Sequence, residues 1–564
     1  MRGILDRCMR SFRLAIALKL APAAVVGGLI AAFSPAAPAF AGTVDVSGGE
    51  AHGQRGDGTM SPAARAAMLR GPLPASAAIV AAKAAADRAY DAAMRTAPPP
   101  SPTIPAAAGG SPSPRSPVIV SPLAGQFDAN STPPDTTGAS GTTRFVQLVN
   151  SRFEIVDRAT NAVLSAGTLN ALAGWGSLVN SFDPQIIWDP TTDRFYYAMD
   201  SVVSATNNRI AFGFSKSSSP STAADWCKYS IAYGSVFPDY PKLGDNQYFI
   251  LIGVNDFDSL GSFLRSDLIA MPKPIGSGTI STCPTFTELK NSRAKIFQDL
   301  RNAASQQLFS PTPANSADTG VNGYVVAINL FIPSTSLWIV PANGPAAGLP
   351  TISAARSVTI PATSIPPGAA QPGVTQKLDT SDTRMTQANL GRNPLRSNTL
   401  SLWTQQTVAN GTTGSKIQYY EIRPDVLSPI LRRTGTIGTA GVFYFNAAIS
   451  SDRRVDGATV ANGDSFVIGY NVSSTSINPR IVMGSSVSSG ILTFTTVRNS
   501  TGPYVDFACA APGDTCRWGD YSGAAPDPRP IGSTRAVALT NQYASGGTST
   551  AQSNWRTRIW WAQP

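Results

Sequence analysis

Two short stretches are the densest clusters of groups in this chain that can do chemistry: Phe237-Pro238-Asp239-Tyr240-Pro241-Lys242-Leu243-Gly244 and Arg517-Trp518-Gly519-Asp520-Tyr521-Ser522. Together with Asp183, which precedes Pro184, they supply carboxylates, cations and phenols. Two carboxyl groups whose pKa values are pushed apart across a substrate-sized gap can act as acid and base on a glycosidic bond. Tyr240 and Tyr521 are proton-transfer groups by type, and Arg517 and Lys242 suit an anionic or hydroxylated ligand. Trp518 offers a flat apolar face of the kind on which sugars stack. A structural duty competes for the same residues, because an Arg-Asp pair also locks neighbouring strands together. No single residue is assigned as catalytic from these types alone.

Much chemistry is excluded. The one histidine is His52, in a poorly structured N-terminal region, so a Ser-His-Asp or Cys-His mechanism, a His-ligated zinc and a two-His iron site have no imidazole in the folded part. No phosphate-binding glycine loop, dinucleotide fingerprint or nucleophile elbow occurs. Cofactors are not expected: Asn255-Asp256-Phe257-Asp258-Ser259 carries oxygen donors for a structural Ca2+ but lacks the spaced ligands and glycine of an established calcium loop.

The elements that must position these residues follow a repeat. A short strand, a turn built on Asp, Pro, Gly or Ser, and an apolar strand often closing on Asn or Asp recur from Thr136 to Asn150, Asp183 to Asp200, Pro241 to Asn255, Pro311 to Asn329, Arg384 to Val408, Tyr444 to Asn471 and Gly519 to Asn541. The copies lie roughly 50 to 76 residues apart, and one such unit cannot bury its apolar faces without neighbours. The expectation is an all-β fold, a seven-bladed β-propeller over residues 117–564. Val118-Ile119-Val120 is expected to complete the last blade beside the terminal strand around Trp555 to Trp561, which removes an exposed edge. The starts of the innermost strands should then converge at the channel mouth, bringing together Asp135, Asp183, Asp239, Tyr240, Lys242, Arg384, Asn446, Arg517, Asp520 and Tyr521.

Residues 1–41 read as a secretory signal: Arg2, Arg7, Arg10, Arg13 and Lys19, an apolar stretch from Leu20 to Phe33, and Ala39-Phe40-Ala41 before Gly42. Residues 42–116 are rich in Ala, Pro and Ser and read as flexible, except for an Ala-rich helix expected over 76–95. The mature chain is therefore expected in an extracellular or periplasmic compartment, as a monomer without an integral membrane segment. Cys227, Cys283, Cys509 and Cys516 then form two disulfides, for which three pairings are open; Cys509 with Cys516 would close a short loop and leave Cys227 with Cys283 to tie neighbouring blades. The net charge is +10, of which the leader contributes about +4. Basic residues are spread thinly, with no aromatic-interleaved run of the kind that tracks nucleic acid, so no nucleic-acid partner is expected.

The same segments resemble a family of secreted bacterial propeller proteins, mostly uncharacterised and loosely described as sialidase-like. The resemblance is carried by Pro134-Asp135-Thr136-Thr137-Gly138-Ala139, Asp183-Pro184 with Asp193-Arg194-Phe195, Asp239 to Gly244, Gln371-Pro372-Gly373, Tyr420-Glu421-Ile422-Arg423, Arg517 to Ser522 and Trp555-Arg556-Thr557-Arg558-Ile559. It implies a propeller and export. Two departures limit what it implies about activity: the aspartate-box pattern of sialidases is absent, and Ser401-Leu402-Trp403-Thr404-Gln405-Gln406 stands where the family is expected to carry an Asn-His pair.

The leading expectation is a secreted propeller binding an extracellular polysaccharide or other glycan at the channel mouth, since binding asks less of these residues than catalysis does. The alternatives are a glycoside hydrolase or polysaccharide lyase using Asp and Tyr chemistry, and a surface scaffold or adhesion protein whose channel is purely structural.

Overall fold

The computed structural model describes residues 42–51, 76–96, 117–176, 179–274, 276–330, 333–453, 462–487, 490, 492–528 and 537–564. The expected signal, Cys8 and His52 lie outside the described residues. Among the described residues, seven sheets of four or five strands form a β-propeller, antiparallel except where the two-residue strand Asn315–Ser316 pairs parallel with Ala388–Asn393. Their innermost strands are Thr137–Ser140, Asn180–Asp189, Phe237–Asp245, Leu308–Pro313, Ala388–Asn393, Phe443–Ser451 and Gly523–Pro526, taken as blades 1 to 7 in chain order. Each blade is two-faced, and apolar side chains from facing sheets fill the space between blades. Ile187, Tyr196 and Phe212 of blade 2, for example, share a core with Ile250, Ile252 and Ile269 of blade 3.

The ring closes through the two ends of the propeller sequence. Val118–Ala124 pairs with Trp555–Gln563, Val120 opposite Trp561 and Leu123 opposite Ile559, and so supplies the outer strand of blade 7. Ion pairs reinforce the joints: Arg158 of blade 1 holds Asp527 after the inner strand of blade 7 at 2.5 Å, and Lys273 reaches both Asp189 and Asp245, which end the inner strands of blades 2 and 3.

The segment just after the expected signal differs from the flexible reading. Gly42–Asp45 adds a fifth strand to blade 3 and Gly48–Glu50 one to blade 2. A segment too poor in large apolar residues to build its own core can still satisfy its backbone groups on a ready-made sheet edge. Ala77–Thr96 is a helix, with Ile79 and Tyr90 buried. Cys227 pairs with Cys283, joining the outer strand region of blade 2 to the connection before the fourth strand of blade 3, and Cys509 pairs with Cys516. Two disulfides are at home in an oxidising compartment. No helix among the described residues is long and apolar enough to cross a membrane.

Candidate functional site

A local irregularity of the innermost strands builds the channel mouth. Pairing between the inner and second strands breaks at Phe182/Gln185 in blade 2, Asp239/Lys242 in blade 3, Phe309/Thr312 in blade 4 and Phe445/Ala448 in blade 6. Inside each break sits a non-glycine residue with positive φ: Asp183 at 50°, Tyr240 at 58°, Ser310 at 53° and Asn446 at 50°. Such residues are uncommon outside turns and bulges, and each re-aims its side chain relative to the regular alternation. Pro184, Pro241 and Pro311 follow three of them, and a residue without an N–H fits where the ladder is already interrupted.

Asparagines of the second strands secure two of these bulges from the preceding blade. Asn150 accepts the backbone N–H of Asp183 at 2.7 Å, and Asn255 accepts that of Ser310 at 2.8 Å. Asn150 also donates to the Asp135 carboxylate at 2.5 Å. Asp200 stands at the matching end of the blade 2 second strand, and both of its carboxylate oxygens lack a hydrogen-bond partner.

The sequence-nominated residues do meet. Lys242 Nζ lies 3.7 Å from the centre of the Tyr240 ring and 3.5 Å from that of Tyr521, held by two π-faces with no hydrogen-bond acceptor. Arg384 lies against the Tyr240 ring at 4.7 Å and pairs with Asp382 at 2.6 Å. The Tyr240 hydroxyl donates to the Met385 and Asp520 carbonyls, each at 3.3 Å, and the Tyr521 hydroxyl to the Pro184 carbonyl at 3.0 Å. Asp520 receives Arg517 on its carboxylate, while its own N–H donates to Asp135 at 2.6 Å. Asp183, Asp200 and Asp239 bring carboxylate oxygens within 4.8 Å of one another.

The expected geometry of the hexapeptide needs correction. Residues 517–522 precede the inner strand Gly523–Pro526 and enter it by a loop. Gly519 has φ 150°, and a Cβ there would come within 2.4 Å of the Gln542 side chain. Asp520 pairs with Arg517 of its own hexapeptide. Trp518 is fully buried, donating its indole N–H to Asn471 at 2.9 Å and packing edge-on against Tyr504, so it presents no face to a sugar.

Burial dominates the electrostatics. Asp183, Asp239, Tyr240, Lys242, Arg517, Asp520 and Tyr521 are all buried, Arg517 at 7 % exposure being the most accessible. Loss of solvation, reinforced by Asp239 and Asp520, pushes the Asp183 carboxyl up to about 7. Burial likewise raises Asp135, Asp239 and Asp520 to about 7 and lowers Lys242 to about 7. Two small cavities among the described residues, one beside Ile328 and Gln406 and one beside Trp188 and Ala525, hold at most a water and do not include these groups.

Part of the cover comes from segments remote in sequence. Residues 364–387, linking blades 4 and 5, bring Asp382 and Arg384 to the cluster, and the helix Ala77–Thr96 lies on that segment. Lys83 donates to the Pro366 carbonyl at 3.0 Å and to Thr380 Oγ1 at 2.7 Å, and sits 3.6 Å from Asp379. Asp87 accepts the Gly368 N–H, and Asp91 pairs with Lys377. Burial raises the Asp379 carboxyl, but Lys83 and Arg517 outweigh it and hold the group below its ordinary range. A carboxyl lowered on folding stabilises the contact above its unfolded pKa and loses that contribution as pH falls through the lowered value. Helix release is therefore expected in acid below about pH 4. Lys83→Ala should release it at neutral pH, seen in limited proteolysis as cleavage within 77–96 with little change in the melting temperature of the propeller.

Sequence reasoning passed over Asp200, Asp379 and Asp382 as site residues. For Asp200 the signal was present: copies 1, 3, 4, 6 and 7 of the repeat close on Asn, and copy 2 closes on Asp.

No protein-family model and no curated protein matches the chain. Among solved structures it is similar to an apocarotenoid oxygenase of Synechocystis, with 10 % identity, TM-score 0.34 and coverage of 64 % of this chain and 71 % of that one. It is also similar to a neuraminidase-like protein of a flat-faced bat strain from Peru (9 % identity, TM-score 0.30, 68 % and 96 % of the two chains). An exo-beta-1,3-galactanase of Clostridium thermocellum gives 9 % identity and TM-score 0.27 over 64 % and 87 %. Likenesses this low carry no argument about activity, and the seven-blade architecture rests on the strand pairing itself.

Proposed function

We propose that this protein is an exported β-propeller that works as a rigid binding scaffold through its blade and loop surfaces, with the channel cluster as its internal fastening. One observation carries this reading: the charged and aromatic groups nominated at the channel mouth are buried against one another rather than presented to solvent. A group already engaged in this way gains little from a ligand unless the ligand first breaks those contacts. An extracellular polysaccharide is the partner class that the sequence favours.

A second reading keeps the glycan at the channel mouth. It draws on the nature of the cover, because the helix Ala77–Thr96 is fastened by Lys83, Asp87 and Asp91 through polar contacts that are partly exposed to water. Movement of the helix and of residues 364–387 would open the cluster.

Co-sedimentation with insoluble polysaccharides, run beside an assay for released sugars, separates these readings. The scaffold reading expects no product release and retention that is the same for wild type, Lys83→Ala and Asp520→Asn. Retention that rises in Lys83→Ala and falls in Asp520→Asn favours the mouth. Product release abolished by Asp520→Asn at an unchanged melting temperature overturns the scaffold reading in favour of an enzyme.

A further inference from the structure

The repeat supplies its own control for an unusual group. At the end of the second strand, Asn150 and Asn255 each spend a side-chain oxygen on the N–H of the next blade's bulge. Asp200 occupies the same place in blade 2, before the bulge at Tyr240, yet makes no such bond. It is 1 % exposed, and neither carboxylate oxygen has a hydrogen-bond partner. One oxygen of Asp239, 3 % exposed, is also unpartnered. Buried carboxylates are normally paired or hydrogen-bonded, since an isolated buried charge is costly.

Local cations do not answer the deficit. Asp135, Asp183, Asp200, Asp239 and Asp520 outnumber Lys242, Arg384 and Arg517 in the cluster. Arg384 pairs with Asp382 and Arg517 with Asp520, and no hydrogen bond reaches either oxygen of Asp200 or the unpartnered oxygen of Asp239. The Lys242 ammonium faces two aromatic rings instead of a carboxylate oxygen.

We propose that Asp183, Asp200 and Asp239 form a buried binding site for a hard divalent cation, with Ca2+ the best fit, that fastens blade 2 to blade 3 at the channel mouth. Oxygen ligands at about 2.3–2.6 Å from a shared Ca2+ lie no more than about 5 Å apart, and the 4.8 Å span of these three carboxylates falls inside that limit. An all-oxygen donor set suits Ca2+ or Mn2+, whereas Zn2+ and Cu2+ prefer the nitrogen and sulfur ligands that the cluster lacks. Two strands of blade 2 and one of blade 3 contribute, so binding joins elements distant in sequence. The site is separate from the Asn255 to Ser259 stretch, whose first three residues lie buried in the second strand of blade 3 rather than in a turn and whose Asp258 accepts N–H groups of its own loop.

The test uses Asp200→Asn, which installs the residue that other copies of the repeat carry and so suits the local backbone. Full-length protein is unfolded and refolded with EDTA, then titrated with CaCl2, MnCl2 or MgCl2. Metal content is read by mass spectrometry after gel filtration, and stability by thermal melting. Wild type is expected to retain one Ca2+ per chain and to melt at a higher temperature as Ca2+ rises, the linkage required when a ligand binds only the folded state. Asp200→Asn is expected to fold, to retain no metal and to melt at a temperature that Ca2+ does not change. The inference is overturned if wild type holds no stoichiometric metal and melts identically in EDTA and in each cation. It is equally overturned if Asp200→Asn keeps the full calcium response.

Discussion

Deletion of residues 556–564 is expected to abolish the cooperative melting transition of the whole propeller. Trp555–Gln563 is bonded on one side to Val537–Ala544 and on the other to Val118–Ala124, so its loss removes the link between the two ends of the ring. Ile559, Trp560 and Trp561 go with it, all buried. Truncating a buried tryptophan costs about 3–5 kcal/mol, and two of them approach the ~5–15 kcal/mol that holds a typical domain together. The exposed strand edges left behind should also make the product aggregate. Far-UV circular dichroism and calorimetry check this, with deletion of Gln563 and Pro564 alone as a control expected to melt near the wild-type temperature. A 556–564 deletion that melts like wild type would show that closure does not hold the ring.

Arg517→Ala is expected to cost about 3–5 kcal/mol, the usual effect of removing one partner from a buried ion pair. The reason is what remains: Asp520 is 3 % exposed, its carboxylate has lost its cation, and Asp135 and Asp379 lie close enough to repel it. Changing Asp520 to Asn in the same chain should recover part of that loss, because the stranded charge is gone, and denaturant unfolding of both singles and the double gives the coupling directly. A fastening role requires a strong coupling. Arg517→Ala within about 1 kcal/mol of wild type would mean that water reaches Asp520, and the channel mouth would again be the place to look for a ligand.

The propeller was legible before any coordinates because its signal is periodic. An apolar strand with two buried faces cannot stand alone, and seven spaced copies leave few ways to give each a neighbour. The same logic brought Asp183, Asp239, Lys242, Arg517 and Asp520 together from positions more than three hundred residues apart. Side-chain direction was not legible where the backbone leaves the regular strand. Residues 517–522 enter by a loop, and Asp183, Tyr240, Ser310 and Asn446 sit in bulges whose positive φ no period-two rule anticipates. The proline after three of these residues is the trace that the bulges leave in the sequence.

By itself the sequence determined the repeat, the closure of the ring and the company each channel residue keeps, because these follow from local apolar patterning and the need to bury it. Tertiary structure alone decided that the company is sealed. Exposure at the mouth depends on residues 364–387 and on an Ala-rich helix near the N-terminus, segments outside the repeat whose resting place is set by a few long-range contacts such as Lys83 with Asp379 and Tyr90 with Phe443. It also decided that Asp200 stands without a hydrogen bond while Asn150 and Asn255 do not. That difference arises from which N–H each side chain meets across the gap between blades, a distance that no spacing in the chain encodes.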